Sequence, residues 1–143
     1  MSELRSSIDA LRGEVLADLP DARIEEDFAE LQRAAEMIEV ERLRRLAEID
    51  RRRLYERDGH LSTASWLTRT HNVGWGAARG SVSVARALDS MPITRHALDE
   101  GVISMSAVRL LVGARDADPQ LFAASEDTLV EAARSHTISI FRR

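Results

Sequence analysis

Thirty consecutive residues, Gly59–Leu88, contain no aspartate or glutamate, although the whole chain carries 24 acidic residues and a net charge of -4. Arginine and hydroxyl groups bind phosphate oxygens and base edges, whereas phosphates repel carboxylates. An acid-free segment that holds arginines, serines and tryptophans therefore predicts contact with double-stranded DNA. The predicted contact residues in this segment are Arg69, Trp75, Arg79, Ser81, Ser83 and Arg86.

The spacing within Ser62–Leu88 is typical of a helix-turn-helix unit. Asn72 stands where the sharp turn requires a positive φ, which asparagine tolerates better than most residues, and Val73 follows as a buried turn residue. The inward contacts are expected from Ala64 and Leu67 in the first helix and from Ala78, Val82 and Ala85 in the second.

In such a unit the second helix enters the major groove with its N-terminal part toward the base edges. We expect Arg69, Arg79 and Arg86 to contact phosphates. Ser81, Ser83 and the start of the helix at Trp75 would then approach the bases. Arg95 and Arg109 would extend the basic surface, although Asp99 and Glu100 lie close enough to Arg95 to weaken it.

Each of these residues also has a purely structural interpretation. Helical corners that never contact DNA use the same spacing and the same small residues. Glycines at 74, 76 and 80 weaken the second helix, each by about 1 kcal/mol relative to alanine. Trp66 and Trp75 are most simply core anchors, with a position for Trp75 near the sugar–phosphate backbone as the alternative.

A second arginine-rich segment, Arg42–Arg57, has seven arginines and three acids. Successive arginines at 51, 52 and 53 point about 100° apart on a helix and cannot form one patch. The spacings Glu41–Arg45, Arg44–Glu48 and Glu48–Arg52 predict a solvated ladder of ion pairs instead. Phosphate contact by this segment is the alternative.

The hydrophobic periodicity predicts an all-α fold in two regions, 1–58 and 59–143. In the first, a helix ending at Pro20 folds back on a second helix of about 35 residues that begins at Asp21. Residues 1–41 carry four arginines and twelve acids, and this long hairpin is the candidate surface for a homodimer. The second region contains the helix-turn-helix-like unit among short helices.

Local signals place the helices of the second region. Ser62 caps Thr63–His71, a further helix covers Trp75–Leu88, Pro92 opens a helix over Ile93–Glu100, and Ser104 caps Met105–Ala114. Two separate short helices are expected near residues 116–120 and 125–136. Residues 136–143 begin another helix that stops before two turns, which suggests a longer ancestral protein.

The segment from Ser62 to Val112 resembles the domain-of-unknown-function 222 family of high-GC bacteria. The resemblance is carried by Trp66–Leu67, Ala78, Ala85–Leu88, Pro92, Ala97–Leu98, Gly101 and Ser104. It implies a helical module of the kind usually found in front of an HNH endonuclease domain. More weakly, Ser62–Val112 is similar to the helix-turn-helix domain of ParB-type partition proteins.

The metal-binding part of an HNH nuclease has no counterpart in the sequence. Its paired histidines hold one divalent metal that activates water. Here His60, His71, His96 and His136 are scattered, and the chain has no cysteine. We therefore expect no cleavage activity, no metal and no other cofactor, and the alternative is a metal-dependent nuclease whose missing half is supplied in trans. No signal peptide, membrane span or small-molecule site is evident, which predicts a cytoplasmic protein.

A rival interpretation is a helical protein-interaction module, such as an antitoxin-like or regulatory subunit. In that case the acidic region Met1–Glu41 is the working surface, and the helix-turn-helix is only a scaffold.

Overall fold

The computed structural model describes residues 2–135, and this part of the chain is helical without a β-strand. Its α-helices are α1 (Ser2–Arg12), α2 (Asp21–Arg51), α3 (Thr63–His71), α4 (Trp75–Leu88), α5 (Pro92–Asp99), α6 (Met105–Ala117) and α7 (Pro119–Ser135). Two short 3-10 helices cover Leu16–Asp18 and Leu54–Asp58. The prediction of an all-α fold is confirmed. The helix predicted to start in residues 136–143 lies outside the described residues.

The N-terminal helices are shorter than their hydrophobic patterns predict. Helix α1 ends at Arg12 just before Gly13, so Val15 and Leu19 lie outside it, whereas the sequence predicted a helix up to Pro20. Helix α2 ends at Arg51 because Arg53 adopts a left-handed conformation with φ 53°. The periodic apolar residues continue past both ends, but the backbone at Gly13 and at Arg53 leaves the helix.

The chain divides into two units with the boundary between Ala35 and Glu36, inside α2. The predicted boundary was residue 58. The difference has a physical reason, since Leu43 and Leu46 of α2 are each only 3% exposed and belong to the same apolar core as α3–α7. The second half of α2 is therefore part of the helical unit that contains the helix-turn-helix-like segment.

The core of the second unit is assembled from every one of its α-helices. Its largest fully buried side chains are Met91, Leu111 and Val108. Helices α3 and α4 pack on each other, and α6 packs on α4, α5 and α7. Helix α7 is continuous across the two short helices predicted from the sequence, because Phe122 and Val130 extend one buried face along it.

Two carboxylates cap helices from a distance. Glu126 of α7 is only 6% exposed and accepts hydrogen bonds from the backbone N–H groups of Ile93 and Thr94 and from the Thr94 hydroxyl, at 3.3–3.4 Å. Glu36 accepts a 2.8 Å hydrogen bond from the backbone N–H of Met105. These bonds satisfy N–H groups that the first turns of α5 and α6 leave without helical partners.

Candidate nucleic-acid interface

The α3–turn–α4 segment adopts the geometry that its sequence predicts. The Ser62 hydroxyl accepts a 3.1 Å hydrogen bond from the backbone N–H of Ser65 and caps α3. Asn72 ends α3 with φ 55°, in the left-handed conformation expected of the turn. Helix α4 then begins at Trp75 and ends at Leu88, the two residues predicted.

The inward residues of this segment are also as predicted, with one difference. Ala64, Leu67, Ala78, Val82 and Ala85 are each at most 8% exposed. Val73 is half-buried and packs against the core rather than being fully enclosed. The two-helix corner is therefore built on the small inward residues that the spacing indicated.

Helix α4 differs sharply between its two ends. Near its N-terminus, residues 75–77, 79 and 80 are exposed and only Ala78 faces the core. Near its C-terminus, Val84, Ala85, Ala87 and Leu88 are all buried, so the enclosing helices cover it on several sides. The exposed end is the end that a helix-turn-helix unit presents to base edges.

Trp75 stands at the exposed end, where its side chain is 52% accessible. Its interpretation as a core anchor is therefore wrong, whereas Trp66 is half-buried and packs against the core. No side chain of the described residues caps α4 at Gly74, so the first backbone N–H groups of the helix have no side-chain acceptor there. Such a helix start attracts anionic groups.

One face of α4 carries Trp75, Arg79, Ser83 and Arg86, which follow each other at intervals of four, four and three residues. These four side chains line an open depression of about 430 Å³, together with Ser62, which caps α3, and Arg115 of α6. Arg115 is a cation that sequence reasoning missed, since it lies outside the acid-free segment. Only packing of α6 against α4 brings it to this site.

Ser81 does not belong to this face, contrary to the prediction. It lies about 200° around the helix from Arg79. Its half-buried hydroxyl accepts a 2.9 Å hydrogen bond from Arg42 Nη2 of α2. The second half of α2 therefore occupies the side of α4 on which Ser81 lies.

Arg86 is held by a carboxylate from outside the acid-free segment. Its guanidinium donates hydrogen bonds of 2.7 and 2.8 Å to the two carboxylate oxygens of Asp50, which also accepts a 2.6 Å bond from the Thr63 hydroxyl. The Arg86 bonds lower the pKa of Asp50, and the Thr63 bond acts in the same direction against the effect of burial. The charge of Arg86 is thus compensated within the chain.

The remaining predicted arginines fall into two groups. Arg95 pairs with Asp89 at 3.3 Å and with Asp99 at 4.0 Å, so its charge is also compensated. Arg69, Arg79 and Arg109 are exposed, and none of them hydrogen-bonds or ion-pairs with any residue in the described range 2–135. Of these three, only Arg79 lines the depression on α4.

The arginine-rich segment of α2 forms the predicted ladder of ion pairs. Glu41 binds Arg44 and Arg45, and Glu48 binds Arg51 and Arg52. Arg44 pairs with Glu41 rather than with Glu48, which is the one difference from the predicted pairs. These carboxylates compensate the arginines locally and support the interpretation as a solvated helix face.

The described residues contain no group of three or more histidine, cysteine, aspartate or glutamate side chains arranged to hold a metal ion. His71, which is exposed at the end of α3, instead meets Trp66 edge to face with ring centroids 5.0 Å apart. Within residues 2–135, no helix combines the length and apolar character needed to cross a membrane.

Comparisons of the chain with protein-family models, with curated proteins and with solved structures found no match. The resemblance to the domain-of-unknown-function 222 family, and the weaker one to ParB-type domains, therefore stay predictions.

Proposed function

We propose that the protein binds double-stranded DNA through the α3–turn–α4 segment. The observation that carries this proposal is the exposed N-terminal half of α4, where Arg79 has no ion-pair partner among residues 2–135 and Trp75 is 52% accessible. An unpaired arginine loses no internal contact on binding a phosphate, so its full charge is available for counterion release.

The roles of the contact residues follow from their partners. Arg69 and Arg79 contact phosphates, and Arg115, which meets Asp116 of its own helix at 3.5 Å, contributes a weaker contact from α6. Trp75 and Ser83 face the groove. Arg86 contributes little to the salt dependence, because Asp50 already compensates its charge at 2.7 Å.

The test is a titration of a fluorescent duplex oligonucleotide, read by anisotropy over a series of salt concentrations. The wild type should bind with a dissociation constant below about 100 µM at low salt, as nonspecific DNA binding commonly does. Arg79→Gln should reduce the steepness of log K against log salt by about 0.9, the value for one lost phosphate contact.

Arg134→Gln is the matched control, because Arg134 is an exposed arginine of α7 that lies outside the proposed interface. This variant removes the same charge and should bind DNA as the wild type does. A wild type without salt-dependent binding would refute the proposal. If both variants lost DNA affinity equally, binding would reflect general charge attraction and not contact through α4. Magnesium-dependent cleavage of the duplex would overturn the expectation that the chain is not a nuclease.

A homodimer through the N-terminal helices is the second part of this proposal. Its support is that no residue of α1 is buried and that Phe28 of α2 is 67% exposed. Two copies would also supply two α4 helices, as helix-turn-helix dimers do for paired half-sites. The rival function, an interaction module that uses its acidic N-terminal region, predicts binding to a basic partner protein and no binding to DNA.

A further inference from the structure

The first unit exposes large apolar side chains at the spacing of a coiled coil. Within α1, and again within α2, three apolar residues are separated by four and then three residues. This is the heptad spacing of helices that pack on a partner helix. Their exposed fractions run from 37% for Ile24 to 67% for Phe28. We call them the N-terminal apolar stripe, which consists of Leu4, Ile8 and Leu11 in α1 and Ile24, Phe28 and Leu31 in α2.

The exposed area is large enough for a dimer interface. With Val15 and Leu16, which are more than 60% exposed, the unit shows eight large apolar side chains to solvent. If each side chain offers at most ~100 Å², half of what a large aromatic side chain buries, the eight offer up to roughly 800 Å² per copy, one partner's share of a standard interface. Monomeric proteins rarely leave so much apolar surface uncovered.

The charges beside the stripe differ between the two helices. Arg5 and Arg12 directly follow stripe residues in α1, whereas Glu25 and Asp27 flank the stripe in α2. These are the heptad positions whose charges select partner helices. Pairing α1 with α1, or α2 with α2, would place like charges together, whereas pairing α1 with α2 places opposite charges together.

Two of these four charged side chains have no polar partner among residues 2–135. Arg5 and Glu25 form neither a hydrogen bond nor an ion pair with any residue that the structure describes. Arg12 meets Asp9 of its own helix at 3.7 Å, and Asp27 meets Arg23 of its own helix at 3.1 Å. Exposed pairs of this kind within one helix are weak, so all four charges can pair across an interface.

We propose that two copies of the chain associate with α1 of each copy packed on α2 of the other. The four helices bury both N-terminal apolar stripes, with the arginines of α1 beside the acids of α2. This arrangement rests on the homodimer proposed above and specifies which helices meet. Because salt screens both the repulsion between two acidic copies and the attraction between the flanking charges, we expect the dimer to depend only weakly on salt. Salt would weaken the capture of a basic partner protein.

The test uses two complementary full-chain variants. Arg5→Glu/Arg12→Glu makes the flanks of both helices acidic, and Glu25→Arg/Asp27→Arg makes both basic. Each variant alone should be monomeric at ~100 µM by sedimentation equilibrium, whereas an equimolar mixture should form a heterodimer in which every α1–α2 contact joins opposite charges. Circular dichroism should show unchanged helix content, because all four side chains lie on helix surfaces.

The outcomes separate the arrangement from the dimer itself. A wild type that remains monomeric at ~100 µM overturns both. A dimeric wild type whose two variants also dimerise alone as well as the wild type does overturns the arrangement and leaves the dimer, whatever their preference in the mixture. Phe28→Glu should give a monomer. Leu121→Glu, which alters a leucine of α7 that is 63% exposed, should not change the oligomeric state. None of these readouts depends on DNA binding.

Discussion

The two units contain similar amphipathic helices, but the apolar faces are buried in one unit and exposed in the other. In residues 36–135, apolar faces from α2 to α7 meet in one core, and Val108 and Leu111 are fully buried. In residues 2–35, the apolar residues have the same helical spacing, but none is buried. A periodic apolar face therefore predicts that a helix needs a partner, and does not predict that its own chain supplies one.

Polar contacts separate the units in the same way. The second half of α2 makes hydrogen bonds to residues 13–69 positions away, to Thr63, Arg86, Ser81 and the backbone of Met105. In the first unit, the ion pairs join residues three or four apart, with Arg23–Glu14 as the one longer pair among its described residues. Long-range contacts hold α2 in the second unit only.

The largest expected effect contrasts one core residue with one stripe residue. Leu111→Ala should lower the free energy of unfolding by about 2–5 kcal/mol, because it leaves a cavity at a fully buried site. Phe28→Ala should change it by at most about 0.5 kcal/mol in dilute solution, where the side chain is 67% exposed. Urea denaturation at low protein concentration measures both. If Leu111→Ala and Phe28→Ala lowered the free energy of unfolding equally, the contrast between the two units would be wrong.

Asp50→Asn should give a smaller loss, about 1–2 kcal/mol at neutral pH, because it weakens the charged hydrogen bonds to the partly exposed Arg86. The pKa of Asp50 is lowered in the folded protein, mainly by Arg86. Its contribution to stability is therefore complete above the ordinary aspartate pKa of about 4 and is lost as the pH falls through the lowered value.

Urea midpoints of the wild type and of Asp50→Asn should accordingly converge below pH 4. Asp9→Asn is the matched control, because among residues 2–135 the only ion pair of Asp9 is the 3.7 Å contact with Arg12 in the first unit. This variant should leave the midpoint nearly unchanged at every pH. If the urea midpoint of Asp50→Asn stays below that of the wild type at acidic pH, packing rather than the charge of Asp50 holds α2 in place.

The smallest effect concerns α4, whose exposed end resembles the first unit in lacking internal contacts. Gly80→Ala should raise the free energy of unfolding by about 0.5–1 kcal/mol, because an added Cβ meets no atom of residues 2–135 within 4 Å outside the nearby backbone of α4, and alanine favours the helix. Gly101→Ala is the opposite-sign control, since φ is +74° there and the substitution should cost about 1 kcal/mol. Thermal unfolding distinguishes the two. A destabilised Gly80→Ala would mean that this end is packed.

The part of the fold that could be predicted from sequence is the part with local signals. Ser62 and Asn72 each act on the backbone within a few residues, so the bounds of α3 and the turn that leads into α4 could be predicted. The early end of α1 and the continuity of α7 could not. Both depend on which apolar residues find neighbours, and hydrophobic spacing leaves that open.

In the candidate site, too, some features depend on local sequence and others on helix packing. The sequence by itself determined a helix-turn-helix-like segment without acids and the residues that line its inward face. Tertiary structure decided which arginines remain unpaired, because Asp50 reaches Arg86 across 36 residues of chain and Arg42 reaches Ser81 across 39. Side-chain pairing over such separations depends on helix packing, whereas caps and turns depend on neighbouring residues. The absence of acids from a segment therefore does not show that its arginines are free.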